Sequence, residues 1–460
     1  MCGVIGVVGK GAHGLCRVGL DALAHRGLPG RSRVLDGRVG RTSDEWAVGH
    51  VRLPIVGVGE ENDQPLERWR GTSASAFAWV GELLERADGT PIKNLAACDT
   101  LVARQLFYDE GPGGFTDLDG FWSIVSYDGA RLRALTDYLA QKPLYFRAGA
   151  SFAAVASEPA ALARLAGVTL DEVYLAACQK WGYCPDGART PFNEIKKLGP
   201  GCYVELEPGS APKITKVDAL LPAFCRTTDS LTYLIERAVK VRVQHSDVPV
   251  ALLASGGLDS SIVLELARRY GDVNVYHARN EGDAPPADVS REIDPDEVPL
   301  ATALEWMQEP IDLGSLQPQA ALSAAVKAAG GERVCLTGDG ADELFGGYAR
   351  ASVYDSQASD VWHELLCWHL PRLDRIMMRN QIEVRSPFLS RWVASAALGL
   401  PWEERRDKAI LRRAFRDVLP AGVADRPKVP LKHDAVRVDR QARSIRLVNL
   451  FREAWTGDRA

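Results

Sequence analysis

The residues best suited to chemistry fall in three places along the chain. The hexapeptide Ser255-Gly256-Gly257-Leu258-Asp259-Ser260 follows an apolar run at 250–254 and leads into a segment of helical period, with Ile262, Val263, Leu266 and Ala267 on one face. A Gly-rich turn between strand and helix aims backbone N–H groups and a positive helix end at an anion. Its glycines let the backbone approach a phosphate closely. Ser255, Ser260 and Ser261 add hydroxyl donors, and Asp259 is suited to hold a divalent metal that phosphates share. A second apolar run, 334–336, opens the acidic, Gly-punctuated loop GDGADELFGGY, in which Asp339, Asp342 and Glu343 can bind magnesium and act on protons. The third place is Cys2. Once Met1 is removed, this residue carries both a thiol and an α-amine whose reference pKa is about 8. That amine can take the thiol's proton, making a self-contained nucleophile and base. Each cluster also has a bland counterpart: a serine-capped turn, a carboxylate-rich helix start, an accidental Met-Cys-Gly beginning. No Gly-Lys-Ser/Thr follows the glycines, so the loop is not a Walker loop.

The elements that must position these groups differ between the two halves. Residues 1–208 alternate short apolar strands, at 3–8, 46–51, 76–80, 122–127, 132–136, 152–157 and 202–206, with helical segments only near 16–24 and 100–108. Many strands and few helices predict packed sheets in an α+β domain. Residues 209–230 are rich in Pro, Gly and Lys at their start and read as a linker. Residues 231–450 begin with an amphipathic helix at 231–244 and continue as strand, loop, helix. Two strand-end loops side by side predict a crevice at the carboxyl edge of an open parallel α/β sheet. The proline-rich, acidic stretch 280–299 reads as a mobile loop or a surface excursion. Met377 and Met378 are expected in the core. Lys408, Arg412, Arg426 and Lys428 read by default as solvated charges.

With 460 residues the chain can build roughly two or three cores. Apolar content of 46% and charged content of 25% suit a globular protein, and the net charge of −5 without a Lys/Arg block argues against nucleic acid or an anionic membrane as partner. The apolar start is too short to span a bilayer, and no later stretch reaches membrane length without charge. Nine cysteines without a CxxC pair disfavour both a disulfide framework and a zinc site, and a cytoplasmic location is the expectation.

Together, CGVIGVVG, HRG (25–27), GHVRLPI (49–55), VGELLE (80–85), CDT (98–100), LDGFWSIVSYD (118–128) and QKPLYF (141–146) resemble the glutaminase domain of class II glutamine amidotransferases, an N-terminal-nucleophile αββα sandwich. SGGLDS, GDGADELFGGY, EVRSPFL, DKAILRRAF and ADRPK resemble the PP-loop synthetase domain of glutamine-dependent asparagine synthetases. The resemblance implies that Cys2 attacks the glutamine amide and that Arg52 pairs with the glutamine α-carboxylate. Glu82 and Asp99 receive its α-ammonium, and the Gly81 N–H serves the oxyanion. It implies ATP and Mg²⁺, with Ser255, Gly256, Gly257, Leu258, Asp259, Ser260 and Gly338 on ATP and pyrophosphate. Asp259 and Asp342 would ligate the metal. Asp339 would take a proton from ammonia, Lys428 would neutralise phosphate charge, and Glu343 and Arg385 would shape the acceptor site. Aspartate is the implied acceptor, asparagine the product and a homodimer the family habit. Other relatives carry the same chemistry to other carboxylates. One departure stands out. Val80 replaces the asparagine that usually donates to the oxyanion, and losing one such donor costs about 10²–10³ in turnover. The chain also lacks a histidine that many relatives have after the segment near Asp312.

Overall fold

A computed structural model describes residues 2–38, 45–70, 73–94, 98–221, 228–279, 285–286, 288–311, 314–348, 360–427 and 440–457. The N-terminal half contributes strands β1 (Gly3–Gly9), β2 (Ser32–Arg38), β3 (Glu45–Val51), β4 (Leu66–Arg70), β5 (Ser73–Arg86), β6 (Leu118–Tyr127), β7 (Leu132–Thr136), β8 (Tyr145–Ala148), β9 (Phe152–Ala156), β10 (Lys196–Lys197), β11 (Cys202–Leu206) and β12 (Lys213–Lys216). They form two antiparallel sheets, β10-β8-β9-β1-β3-β2 and β12-β11-β7-β6-β5-β4. The sheets lie face to face, with Val4, Val48, Ile124 and Val125 in the core between them. Every residue of β1 is buried because its second face is covered by the helix Ala12–Ala22, through Cys16 and Leu20. The helix Asp99–Asp109 covers β5 on the opposite side. The layers are therefore helix, sheet, sheet, helix, as the sequence predicts. The span read as a linker is partly structured, since β12 extends the second sheet by pairing with β11. Its alternating Lys-Ile-Thr-Lys suits an exposed edge strand.

The C-terminal half forms an all-parallel sheet of β13 (Val250–Leu253), β14 (Val273–Ala278), β15 (Arg291–Ile293), β16 (Val334–Leu336) and β17 (Glu383–Arg385), in the order β15-β14-β13-β16-β17. Strand order runs outward in opposite directions from β13 and β16, so the switch point lies between them. Both motif loops leave the carboxyl ends of these two strands. Part of the 280–299 stretch is edge strand β15 rather than a loop, and 280–284 and 287 lie outside the described residues. Met377 and Met378 are fully buried. Among the described residues no helix is long and apolar enough to cross a membrane.

The halves meet across the buried ion pairs Arg26–Asp374 at 2.8 Å and Arg242–Asp119 at 3.0 Å, and Arg391–Asp218 at 2.5 Å ties the span after β12 to the C-terminal half. Removing one partner of such a pair typically costs about 3–5 kcal/mol, so the two bodies are held in one register.

His50 on β3 is fully buried and donates through Nε2 to the Trp79 carbonyl at 3.1 Å. Burial pushes its pKa down to about 3, against the pull of that carbonyl. The unfolded chain takes up this proton near pH 6.5 and the native state does not, so stability falls as pH drops from 6.5 toward 3. At pH 5 the expected loss is about 2 kcal/mol. Denaturant midpoints between pH 7 and 5 should therefore fall less steeply in His50→Gln than in the parent chain.

Candidate active sites

Cys2 lies half-buried just before β1, its Sγ 3.9 Å from the Leu53 carbonyl. Its own carbonyl accepts from Arg26 Nε at 3.0 Å, which ties the main chain at Cys2 to the buried Arg26–Glu158 and Arg26–Asp374 pairs. Burial pushes the Cys2 thiol up. The amino-terminal charge, a main-chain hydrogen bond at Leu53 and Arg52 pull it down, and Glu82 pushes it up again, so both side chains share its neighbourhood. Arg52 is buried, donating to Asp63 Oδ1 at 2.9 Å and to the carbonyls of Gly59, Val56 and Gly57. Asp63, shared with Arg31, thus holds the guanidinium that the sequence assigns to a substrate carboxylate.

Gly81 sits in β5 at φ 130°, where a Cβ would come within 1.9 Å of the Phe121 carbonyl, so a larger residue is excluded there. Glu82 and Asp99 converge on His245 Nε2, at 3.2 and 3.8 Å. Asp99 also accepts the Leu83 N–H at 3.0 Å. Burial and the Asp99 charge raise the Glu82 pKa to about 7, with His245 and Arg385 opposing. Val80 is buried apolar core and offers no donor. Val80→Asn should therefore raise the glutamine turnover number by up to about 10²-fold while leaving ammonium-driven synthesis unchanged, a comparison that initial rates with the two nitrogen sources supply.

The second site lies at the switch point. Ser255 Oγ and Ser260 Oγ are 3.3 Å apart, and Ser255 Oγ accepts the Gly257 N–H at 3.3 Å, a turn closed on its own hydroxyls. The Leu258 side chain packs into the core, anchoring the first turn of the helix Leu258–Ala267. At Gly338 a Cβ would meet Asp259 Cβ at 2.9 Å and Ser260 N at 3.0 Å, so the two motif loops touch. Asp259 Oδ2 and Asp342 Oδ1 each lie 2.5 Å from Lys408 Nζ. The ammonium takes the point on which these two carboxylates converge, and carboxylate oxygens are the hard donors that Mg²⁺ prefers, so the metal would share these acids with Lys408 or displace it from them. Asp339 keeps an accessible carboxylate 3.4 Å from Arg372 Nη2. Glu343 is buried and accepts from Tyr348 OH at 2.9 Å. Burial first and Asp342 second raise its pKa to about 7.

Three expected surface charges prove to be parts of this site. Lys408 is buried, and Asp407 and Lys408 are consecutive non-glycine residues at φ 53° and 59°. Such strain persists where surrounding contacts enforce it. Arg426 Nη1 donates to the Gly256 carbonyl at 2.7 Å, and Arg412 Nη1 to the carbonyls of Ala424 and Arg426 at 2.6 and 2.9 Å. The segment before Lys428 is thereby strapped over the Ser255 turn, while Lys428 itself lies outside the described residues. Arg385 departs from its expected acceptor-site place. Its fully buried guanidinium binds Glu383 at 2.7 Å and the carbonyls of Arg242 and His245 at 2.8 and 2.7 Å, and it faces Glu82 at 3.8 Å. His245 was not legible as a site residue, because its partners come from the other half of the chain.

Both halves of the chain are similar to known proteins. Residues 1–215 match the glutamine amidotransferase domain family, and residues 230–366 and 360–448 match the asparagine synthase family. Asparagine synthetase B [glutamine-hydrolyzing] of Escherichia coli is 27% identical, over 84% of this chain and 74% of its own length. A probable asparagine synthetase [glutamine-hydrolyzing] of Acanthamoeba polyphaga mimivirus is 23% identical, over 93% and 84%. A putative asparagine synthetase [glutamine-hydrolyzing] of Methanocaldococcus jannaschii is 25% identical, over 88% and 81%. A solved glutamine phosphoribosylpyrophosphate amidotransferase of B. subtilis covers 73% of this chain at TM-score 0.36 and 16% identity, too slight a likeness to bear on the fold. With an amidotransferase half and a synthetase half in one polypeptide, the chain belongs to the glutamine-dependent asparagine synthetase family, as an ATP-dependent carbon–nitrogen ligase that takes its nitrogen from glutamine.

Proposed function

We propose that the chain converts aspartate to asparagine. Cys2 attacks the glutamine side-chain amide and releases ammonia and, after hydrolysis, glutamate. The Gly81 N–H donates to the oxyanion, Arg52 takes the α-carboxylate, and Glu82 and Asp99 receive the α-ammonium. At the other site the aspartate side-chain carboxylate attacks the α-phosphorus of ATP, and pyrophosphate leaves against the Ser255–Ser260 turn. Ammonia then attacks the acyl carbon, Asp339 takes a proton from it, and AMP leaves with the phosphate oxygen. Lys408 holds Asp259 and Asp342 in register, and Lys428 follows the strap that Arg426 fixes over the turn. Mg²⁺, held by Asp259 and Asp342, would neutralise the phosphates it shares with them. The observation that carries the reading is the convergence of Asp259 and Asp342 at the switch point, in a chain that also bears the Cys2 pocket.

A second reading, the same chemistry on a different carboxylate, draws on Arg385. Its engagement between the two halves leaves the acceptor's recognition to other groups, among them Arg372 beside Asp339. The test is pyrophosphate release from ATP across a panel of carboxylates, with glutamine or ammonium as nitrogen source. Release with aspartate and formation of asparagine support the first reading, and release with another acid alone supports the second. Turnover with ammonium but not glutamine would instead mark an ammonia-dependent variant limited by Val80.

A further inference from the structure

His245 directly follows the first helix of the ATP-binding half, Thr228–Gln244, and the chain enters β13 shortly after it. Its ring nevertheless lies in the other half, buried between Glu82 and Asp99, at 3.2 and 3.8 Å. Arg385 on β17 grips the His245 main-chain carbonyl and also faces Glu82. We propose that His245 is a positioning residue of the glutamine pocket: a cation supplied by the ATP-binding half that keeps the Glu82–Asp99 pair oriented and charged for the glutamine α-ammonium. This deepens the glutaminase reading above and rests on it.

The charge arithmetic favours such a role. Two carboxylates this close in a buried site do not both ionise readily, so one of them holds a proton. A histidine cation between them lets both stay ionised and leaves the trio with one net negative charge for the incoming ammonium. Burial alone would drive the proton off His245, but Asp99 and Glu82 hold it and raise the pKa to about 9. The other charges facing this ring are Arg385 from β17, backed by Glu383, and Asp247 from the following turn, paired with Lys93. On its own helix Arg242 is committed to Asp119. Asp247 is thus compensated locally, and the His245 charge acts on Glu82 and Asp99.

The sign follows directly. As pH falls through about 7, Glu82 takes up a proton, the trio loses its net negative charge, and glutamine binding weakens. Without the His245 cation the Glu82 proton is held to higher pH, so this limb moves alkaline.

The experiment is calorimetric titration of glutamine into the full chain carrying Cys2→Ala, from pH 5.5 to 9, with His245, His245→Gln or His245→Lys. The Cys2 change removes both turnover and the thiol's own titration. Replacing His245 by Gln should shift the acid limb up by at least about one pH unit and weaken binding near pH 7 about tenfold. Replacing it by Lys, which restores a cation, should return the limb toward its parental position. Near-ultraviolet circular dichroism verifies that each variant is folded. An unshifted limb in the Gln variant, or the same shift in both variants, overturns the positioning role and leaves the glutaminase reading intact. A parent chain that binds no glutamine at any pH overturns both.

Discussion

Cys2→Ala should abolish glutamine-dependent amidation, by roughly 10³-fold or more, while synthesis from ammonium continues at the parental rate. The substitution deletes one sulfur from a half-buried position. The interaction anchoring the residue, Arg26 Nε to the Cys2 carbonyl, uses the main chain and survives. The buried Arg26–Glu158 and Arg26–Asp374 pairs keep their partners, so thermal stability should move little. In the parent chain burial keeps the thiol pKa high, and the amino-terminal charge, the Leu53 main chain and Arg52 only partly offset this. In the proposed mechanism the α-amine freed by removal of Met1 takes the thiol's proton, so glutamine turnover should climb with pH more steeply than ammonium-driven synthesis does. Product assays with each nitrogen source over a pH series measure both effects. A comparable loss with ammonium would mean that Cys2 supports the adenylating half directly, and the division of labour between the two sites would fall.

The layers of both halves were legible because their patterns are local. Strands β7, β11 and β16 lie where alternation and apolar runs predict them, and the helix starting at Leu258 follows its glycines directly. Edge elements were harder. Strands β2 and β12 are exposed and polar, carrying little hydrophobic signal, and β15 is three residues in a proline-rich stretch. The groups on the Ser255 turn and its acidic neighbour were legible through motif chemistry. What no local pattern could carry is charge that is buried only because another segment arrives. Lys408 has the composition of a surface lysine until Asp259 and Asp342 close on it. Arg385 looks like a binding-site arginine until the carbonyls ending the first helix of its own half claim it. Pairings between segments distant in sequence decide the fate of both.

Lys408→Met should cripple pyrophosphate release by about 10²-fold or more, since it removes a preorganised cation from the crevice proposed to receive the departing phosphate charge. It should also change how the protein responds to magnesium. In the parent chain the ammonium lies 2.5 Å from both Asp259 and Asp342 and compensates two largely buried carboxylates. Methionine fills much of the same volume without that charge. The two acids then face each other without the lysine between them, and the loss of a buried ion-pair partner is worth about 3–5 kcal/mol of stability. The left-handed backbone at Asp407 and Lys408, which a β-carbon tolerates poorly, remains in the variant and is no longer held by the ion pairs. A hard divalent cation can take the vacated point, because its ligands would be the same two oxygens. Magnesium should therefore raise the melting temperature of the variant more than that of the parent chain, where the lysine competes for those oxygens. Thermal unfolding over a magnesium series tests this without any turnover. If magnesium stabilises both proteins equally, Asp259 and Asp342 are not the pair that shares the metal with the phosphates, and the site must be sought elsewhere along the crevice.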